Sequence, residues 1–240
     1  MARPLRTPAN DTPDRIVDVA VRHLARSGPR GVELRSICLE LGIAPSLMNY
    51  YFSSPAELIW RAALRGYEQH VNAQTEAFER AQSAGAAVEN WVLATIQWTK
   101  ENPGVAAVID FPMLAAGPND AGAPEDFVDA LSTLSRTNVT TLGSGLYALM
   151  TNNPPRRVSS ARIAAMIKLN SEFAYWISII GFGTTGAAMW VAGRKPYGPL
   201  WKAFGFSPDK QIKATIRELL VRAGASDASA LLDVPDDDAE

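Results

Sequence analysis

Val32-Glu33-Leu34-Arg35-Ser36-Ile37-Cys38-Leu39-Glu40-Leu41-Gly42-Ile43-Ala44-Pro45-Ser46-Leu47-Met48-Asn49-Tyr50-Tyr51-Phe52 reads as two short helices joined at one glycine. Leu34, Ile37, Cys38 and Leu41 recur at helical spacing and give the first helix one apolar face. Gly42 follows where a helix C-terminus favours a residue tolerant of the left-handed conformation. Pro45 then stands at a first helical position, and Tyr50, Tyr51 and Phe52 close the second helix with an aromatic cluster. This is a helix-turn-helix whose second helix is placed to enter a DNA major groove. A hairpin of this kind also arises by chance in all-α proteins, so the flanking residues decide its meaning.

Upstream, Asp14 to Arg26 carries Ile16, Val17, Ala20 and Leu24 on one face and ends at Ser27-Gly28-Pro29. Downstream, Ser54-Pro55-Ala56-Glu57 is a capping box with proline in the first turn, opening a long helix through Leu58, Ile59, Ala62 and Ala63. The order of helix, helix-turn-helix, aromatic cluster and capped helix resembles the N-terminal domain of the TetR family of bacterial transcriptional regulators. Arg35, Ile37, Gly42, Ile43, Tyr51, Phe52, Ser54 and Leu58 fit the family pattern without gaps, and the resemblance spans about Asp14 to Leu64.

A chain of 240 residues with 47% apolar composition can bury a full core. The net charge of −2 argues against nucleic acid until its distribution is read. Residues 1–70 hold nine arginines against seven acids, whereas residues 226–240 hold six acids and no base. The N-terminal end is therefore mildly basic and the acidity lies in the tail. The single Cys38 excludes an intrachain disulfide and reads as a small core residue. The apolar run Phe173 to Val191 contains Gly181, Gly183 and Gly186 and is expected to be a buried helix rather than a membrane span. A cytoplasmic location is expected.

Beyond residue 54 helix signals dominate, with breaks at Ala84-Gly85, Asn102-Pro103, Ala116 to Pro124, Asn152 to Pro155 and Gly193 to Pro199. The best strand candidate, Val139-Thr140-Thr141-Leu142, is short and lacks a hairpin turn. The expected fold is all-α. It comprises a flexible basic arm (1–13), a three-helix helix-turn-helix domain (14–53), a helical-bundle domain for effector binding and dimerisation (54–225) and an acidic tail (226–240). Within the bundle, Trp98, Phe111, Tyr147, Phe173, Trp176 and Ile177 either fill the core or line a cavity. The family resemblance implies a sensor of a small apolar or aromatic effector, with no cofactor and no metal. Ser159 to Ile180 and the amphipathic Lys210 to Arg222 suit a homodimer interface, as late helices do in TetR-like proteins; either could equally be an intramolecular face.

On the second helix, Ala44, Pro45, Ser46, Leu47, Asn49 and Tyr50 are the candidate DNA-contacting positions. An Asn49 amide can pair with N6 and N7 of adenine, and the Tyr50 hydroxyl suits a phosphate oxygen, although its ring could equally join the core cluster. Leu47 suits a thymine methyl. Arg35 and Ser54 match family positions that reach the groove or the DNA backbone. Asn49 and Pro55 depart from the family, which usually has a phosphate-contacting tyrosine and often a lysine there. Arg3 and Arg6 of the arm could replace the missing phosphate contact.

Together these readings describe a transcriptional regulator, a repressor that binds a palindromic operator as a dimer and is released by an effector. The competing readings are a small-molecule-binding enzyme and a protein-interaction adaptor. For an enzyme, His23 and His70 are the only histidines and neither has metal-ligand spacing, while Asp110 and Glu172 are carboxylates with nothing in sequence to pair them. The Gly181-x-Gly183-x-x-Gly186 spacing follows no strand and carries no dinucleotide signal.

Overall fold

A computed structural model describes residues 12–110 and 125–192, with Ala214, Arg217, Glu218, Val221 and Arg222 beyond them. The described residues form helices and connecting turns, in an all-α fold. In order these are α1 (Thr12–Ser27), a 3-10 turn (Pro29–Gly31), α2 (Leu34–Leu41), α3 (Pro45–Tyr51), α4 (Pro55–Glu79), α5 (Ala84–Glu101), α6 (Pro103–Asp110), α7 (Glu125–Met150), α8 (Ser160–Leu169) and α9 (Ser171–Ala192). The chain divides into two compact units. The first takes residues up to Tyr67 and Glu101–Leu131, and the second takes Glu68–Lys100 and the residues from Ser132 onward.

In the first unit α1 buries more than the expected stripe. Ile16, Val17, Ala20 and Leu24 are joined by Val19, Val21 and Ala25, because α6 packs on α1 as well as α2 does. Ile37 and Cys38 of α2, Met48 of α3, Phe52 after it, and Leu58 and Ala62 of α4 add further buried apolar side chains. A fully buried residue of the larger kind contributes roughly 1.5–3 kcal/mol. Trp60 packs on Phe127, ring centroids 4.8 Å apart, and Arg65 bonds Asp14 at 2.7 Å and Asp18 at 3.1 Å, so α4 is tied to α1 and α7.

The second unit is built on a core that includes Trp91 and Ile96 of α5, Leu146 of α7, Met166 of α8, and Phe173 and Ile180 of α9. The Val139–Leu142 stretch is helical within α7. Its threonines fit a helix because their hydroxyls return to the preceding turn, as Thr141 does to the Thr137 carbonyl at 2.9 Å. The break expected at Ala84-Gly85 lies just before it, at residues 80–83, and Ala84 starts α5, where the Ser83 hydroxyl accepts from Ala86 N–H at 3.2 Å.

The segment Ser159 to Ile180 contains a break that its apolar pattern hides. It is two helices, α8 and α9, bent by 112° at Asn170. Asn170 is buried and its side-chain oxygen accepts from Phe173 N–H at 2.9 Å, capping α9 from inside the chain. Among the described residues no single helix is long and apolar enough to cross a membrane. The expected buried helix is buried on one side, at Phe173, Trp176 and Ile180, while α9 exposes an apolar face on another. Tyr175 and Ile179 are exposed on it, and Phe182, seven residues beyond Tyr175, is 81% exposed.

Candidate nucleic-acid interface

The turn between α2 and α3 is held by backbone alone. Gly42 has φ 65°, in the left-handed region, where glycine escapes the Cβ clash that other residues meet. With that geometry Ile43 N–H donates to the Cys38 carbonyl at 3.0 Å and Gly42 N–H to the Leu39 carbonyl at 3.3 Å. These two bonds are the Schellman pattern, and they satisfy carbonyls that the end of α2 would otherwise leave open. Ala44 follows in an extended conformation and Pro45 opens α3, as its fixed φ favours.

A seven-residue helix is unstable alone, so α3 depends on its inward face. Met48 and Phe52 are buried, and Tyr51 is half-buried with its ring edge against Tyr50 at 5.0 Å. The outward face carries Ala44, Pro45, Ser46, Asn49 and Tyr50, all exposed. Tyr50 is 79% exposed, so its ring is outside the core. Leu47 is half-buried, in contrast to its neighbours on that face. Arg35 is exposed in the first turn of α2.

The start of α4 differs from a simple capping box. Ser54 Oγ accepts from Glu57 N–H at 3.1 Å, as expected of an N-cap. The Glu57 carboxylate reaches one residue further back, accepting from Ser53 N–H at 2.8 Å and Ser53 Oγ–H at 2.7 Å, and it also pairs with Arg61. The Ser53 hydroxyl, then its backbone N–H, then Arg61 hold the Glu57 carboxyl below its ordinary range, outweighing the effect of partial burial. A carboxylate therefore already stands at the positive end of α4, which makes this terminus a poorer phosphate seat than a helix end without one. The Ser54 oxygen is engaged as acceptor, while its O–H retains a proton to donate.

The pocket residues expected from sequence separate into two places in the second unit. Tyr147, Phe173 and Trp176 lie in the packed core, with Ile177 half-buried against it. Arg162 donates to the Tyr147 hydroxyl at 3.3 Å and stands 5.3 Å from its ring centroid. Trp98 lies instead between α4 and α5, stacked on His70. Phe111, Arg3 and Arg6 lie outside the described residues, as do Ile212, Thr215, Ile216, Leu219 and Leu220 of the second proposed interface helix. Sequence reasoning weighed His70 only as a metal ligand and gave Gln74 no role; they are buried polar residues four apart on α4, and only that spacing hinted at them.

No family model matches the chain, and no curated protein does. Solved structures do match along most of its length. A tetR-family transcriptional regulator from Streptomyces coelicolor is 16% identical, with 96% of this chain and 93% of that one covered and a TM-score of 0.59. SCO7222, a TetR from the same organism, is 20% identical, with 88% and 97% covered and a TM-score of 0.54. FadR of Bacillus subtilis, a transcriptional regulator solved with stearoyl-CoA, is 11% identical, with 88% and 97% covered and a TM-score of 0.54. The chain therefore has the fold of the TetR-family transcriptional regulators.

Proposed function

We propose that the chain is a DNA-binding transcriptional regulator that acts as a homodimeric repressor on a palindromic operator. The observation that carries this reading is the two-sided build of α3. Met48 and Phe52 anchor one face, and Asn49 and Tyr50 stand exposed on the other. In this reading Asn49 reads an adenine edge, and Tyr50, Ser46 and Ser54 donate to phosphates. Arg35 reaches the groove or its backbone from α2, while Ala44, Pro45 and Leu47 supply apolar contact. The exposed Tyr175, Ile179 and Phe182 on α9 support dimerisation, because an apolar stripe of this kind is covered in a stable protein. Two copies of α3 about one DNA turn (~34 Å) apart would then read a two-fold site.

The effector in this reading is a small, largely apolar molecule bound in the second unit, favouring a state that releases DNA. FadR bound to stearoyl-CoA, a protein of the same fold, supports an apolar body for it. Signal passes through α4, whose residues up to Tyr67 belong to the first unit and the rest to the second. The test is selection of genomic DNA fragments by the purified protein, followed by titration on the enriched sequence. A palindromic consensus, affinity that falls with salt, and loss of specific binding in the Asn49→Ala, Tyr50→Ala double variant are expected. No enrichment, or full specific binding by that variant, overturns the assignment.

A further inference from the structure

Resting on the reading of the second unit as an effector domain, the arrangement of α4 against α5 bears on what the effector must carry. His70 meets Trp98, Gln74 meets Thr95, and the Ala77 carbonyl accepts from Asn90, so rising numbers on one helix meet falling numbers on the other. The two helices run antiparallel, and a polar seam lies between them. Gln74 and Thr95 are fully buried, and Thr99 is nearly so.

The hydrogen bonds of this seam have a defined direction. Thr95 Oγ1 gives its single proton to the Trp91 carbonyl at 2.9 Å, so toward Gln74 it can only accept. The Gln74 amide nitrogen therefore faces Thr95, at 2.9 Å, and its carbonyl oxygen must point elsewhere. That oxygen has no partner among the described residues, and neither has the hydroxyl of Thr99, one turn along from Thr95. Buried polar atoms left unpaired are costly, and a protein retains them where something else completes the bond. Within the seam Gln74, Thr95 and Thr99 are uncharged, and burial holds His70 neutral by pushing its pKa down to about 3. A buried anion would find no cation there, and the free Gln74 oxygen would repel it.

We infer that the effector is a neutral molecule whose apolar body carries a hydrogen-bond donor, a hydroxyl or N–H, that binds Gln74 Oε1 while Thr99 Oγ1 completes the polar contact. A carboxylate-headed ligand is the wrong chemistry for this seam.

The test is calorimetric titration of the full chain with matched probes on one ring system: 2-naphthol, 2-methylnaphthalene and 2-naphthoate, with the corresponding phenyl series. The alcohols are expected to bind at least tenfold more tightly than the hydrocarbon and the carboxylate. Gln74→Leu and the isosteric Thr99→Val should each erase most of that preference while leaving hydrocarbon binding within about threefold. Circular dichroism melting confirms that each variant is folded, and if Gln74→Leu is not, Thr99→Val decides. Equal or tighter binding of the carboxylates, a preference unchanged in the folded variants, or no binding by any probe overturns the inference. Release of operator DNA is measured separately. Alcohol-selective binding without release sustains this site and removes the effector reading, whereas release by a carboxylate sustains the effector reading and removes this site.

Discussion

His70 stacks on Trp98, with ring centroids 4.3 Å apart and planes at 29°, in the interior of the second unit. Burial pushes the His70 pKa from 6.5 down to about 3, so the folded protein holds this ring neutral. In the unfolded chain the same ring takes a proton below about 6.5. Protons thus favour the unfolded state, and the stability of neutral His70 is fully present above pH 6.5 and lost steadily below it. Wild type should lose about 2 kcal/mol more than His70→Phe between pH 7 and pH 5. Urea midpoints of both proteins at the two pH values measure this, and parallel pH curves would refute it.

Glu57 gives the opposite kind of dependence on the same axis. Its carboxyl is held below the ordinary 4.5 by Ser53, so its contribution is present above that pH and lost as pH falls through the lowered value. Glu57→Gln keeps the side-chain length but removes the charge that Ser53 and Arg61 meet. The variant should be less stable than wild type by about 1 kcal/mol at pH 7, with the gap closing as pH falls from 4.5 through the lowered value. Thermal melts across that range would show a constant gap if the carboxylate were not the cause.

Gly104 brings α6 close against the end of α1. A Cβ at this position would run into the Leu24 carbonyl oxygen and stand 2.9 Å from the Gly28 backbone nitrogen. The obstacle is backbone already bonded, since Gly28 N–H donates to that same carbonyl at 2.9 Å, so it cannot rotate aside. Gly104→Ala should cost about 1–3 kcal/mol, the usual range for overpacking. Gly85→Ala, at a helix position with open space around it, serves as the control and should be neutral or slightly stabilising. Equal melting temperatures for the two variants would contradict this packing.

Phe182 and Ile179 lie on the uncovered face of α9. A Phe182→Glu, Ile179→Glu double variant should shift the protein from dimer to monomer in analytical ultracentrifugation while retaining its helical spectrum. It should also weaken binding to a two-fold operator by at least about a hundredfold, since linked half-sites gain 10²–10⁴ in avidity. A dimer that survives both charges places the interface elsewhere.

Much of the first unit was legible because its signals are local. The position of Gly42, the proline at the start of α3 and the serine before α4 each act within one turn of chain, so sequence spacing carries them. The break at Asn170 escaped notice because an asparagine inside an apolar helical pattern announces no cap until its oxygen is seen on Phe173 N–H. The exposure of Tyr50 was equally undecided in sequence, where an aromatic ring suits a core or a surface.

By itself the sequence determined an all-α chain, the helix-turn-helix within it, and which residues of α3 could face outward, since helical periodicity and capping chemistry are written in neighbouring residues. Only tertiary structure decided that Tyr147, Phe173 and Trp176 are packed core, and that α9 keeps an apolar face uncovered. Tertiary structure alone also set His70 against Trp98 and turned the Gln74 amide. Those relations join residues many turns apart, and their directions follow from which donor and acceptor each neighbour has left.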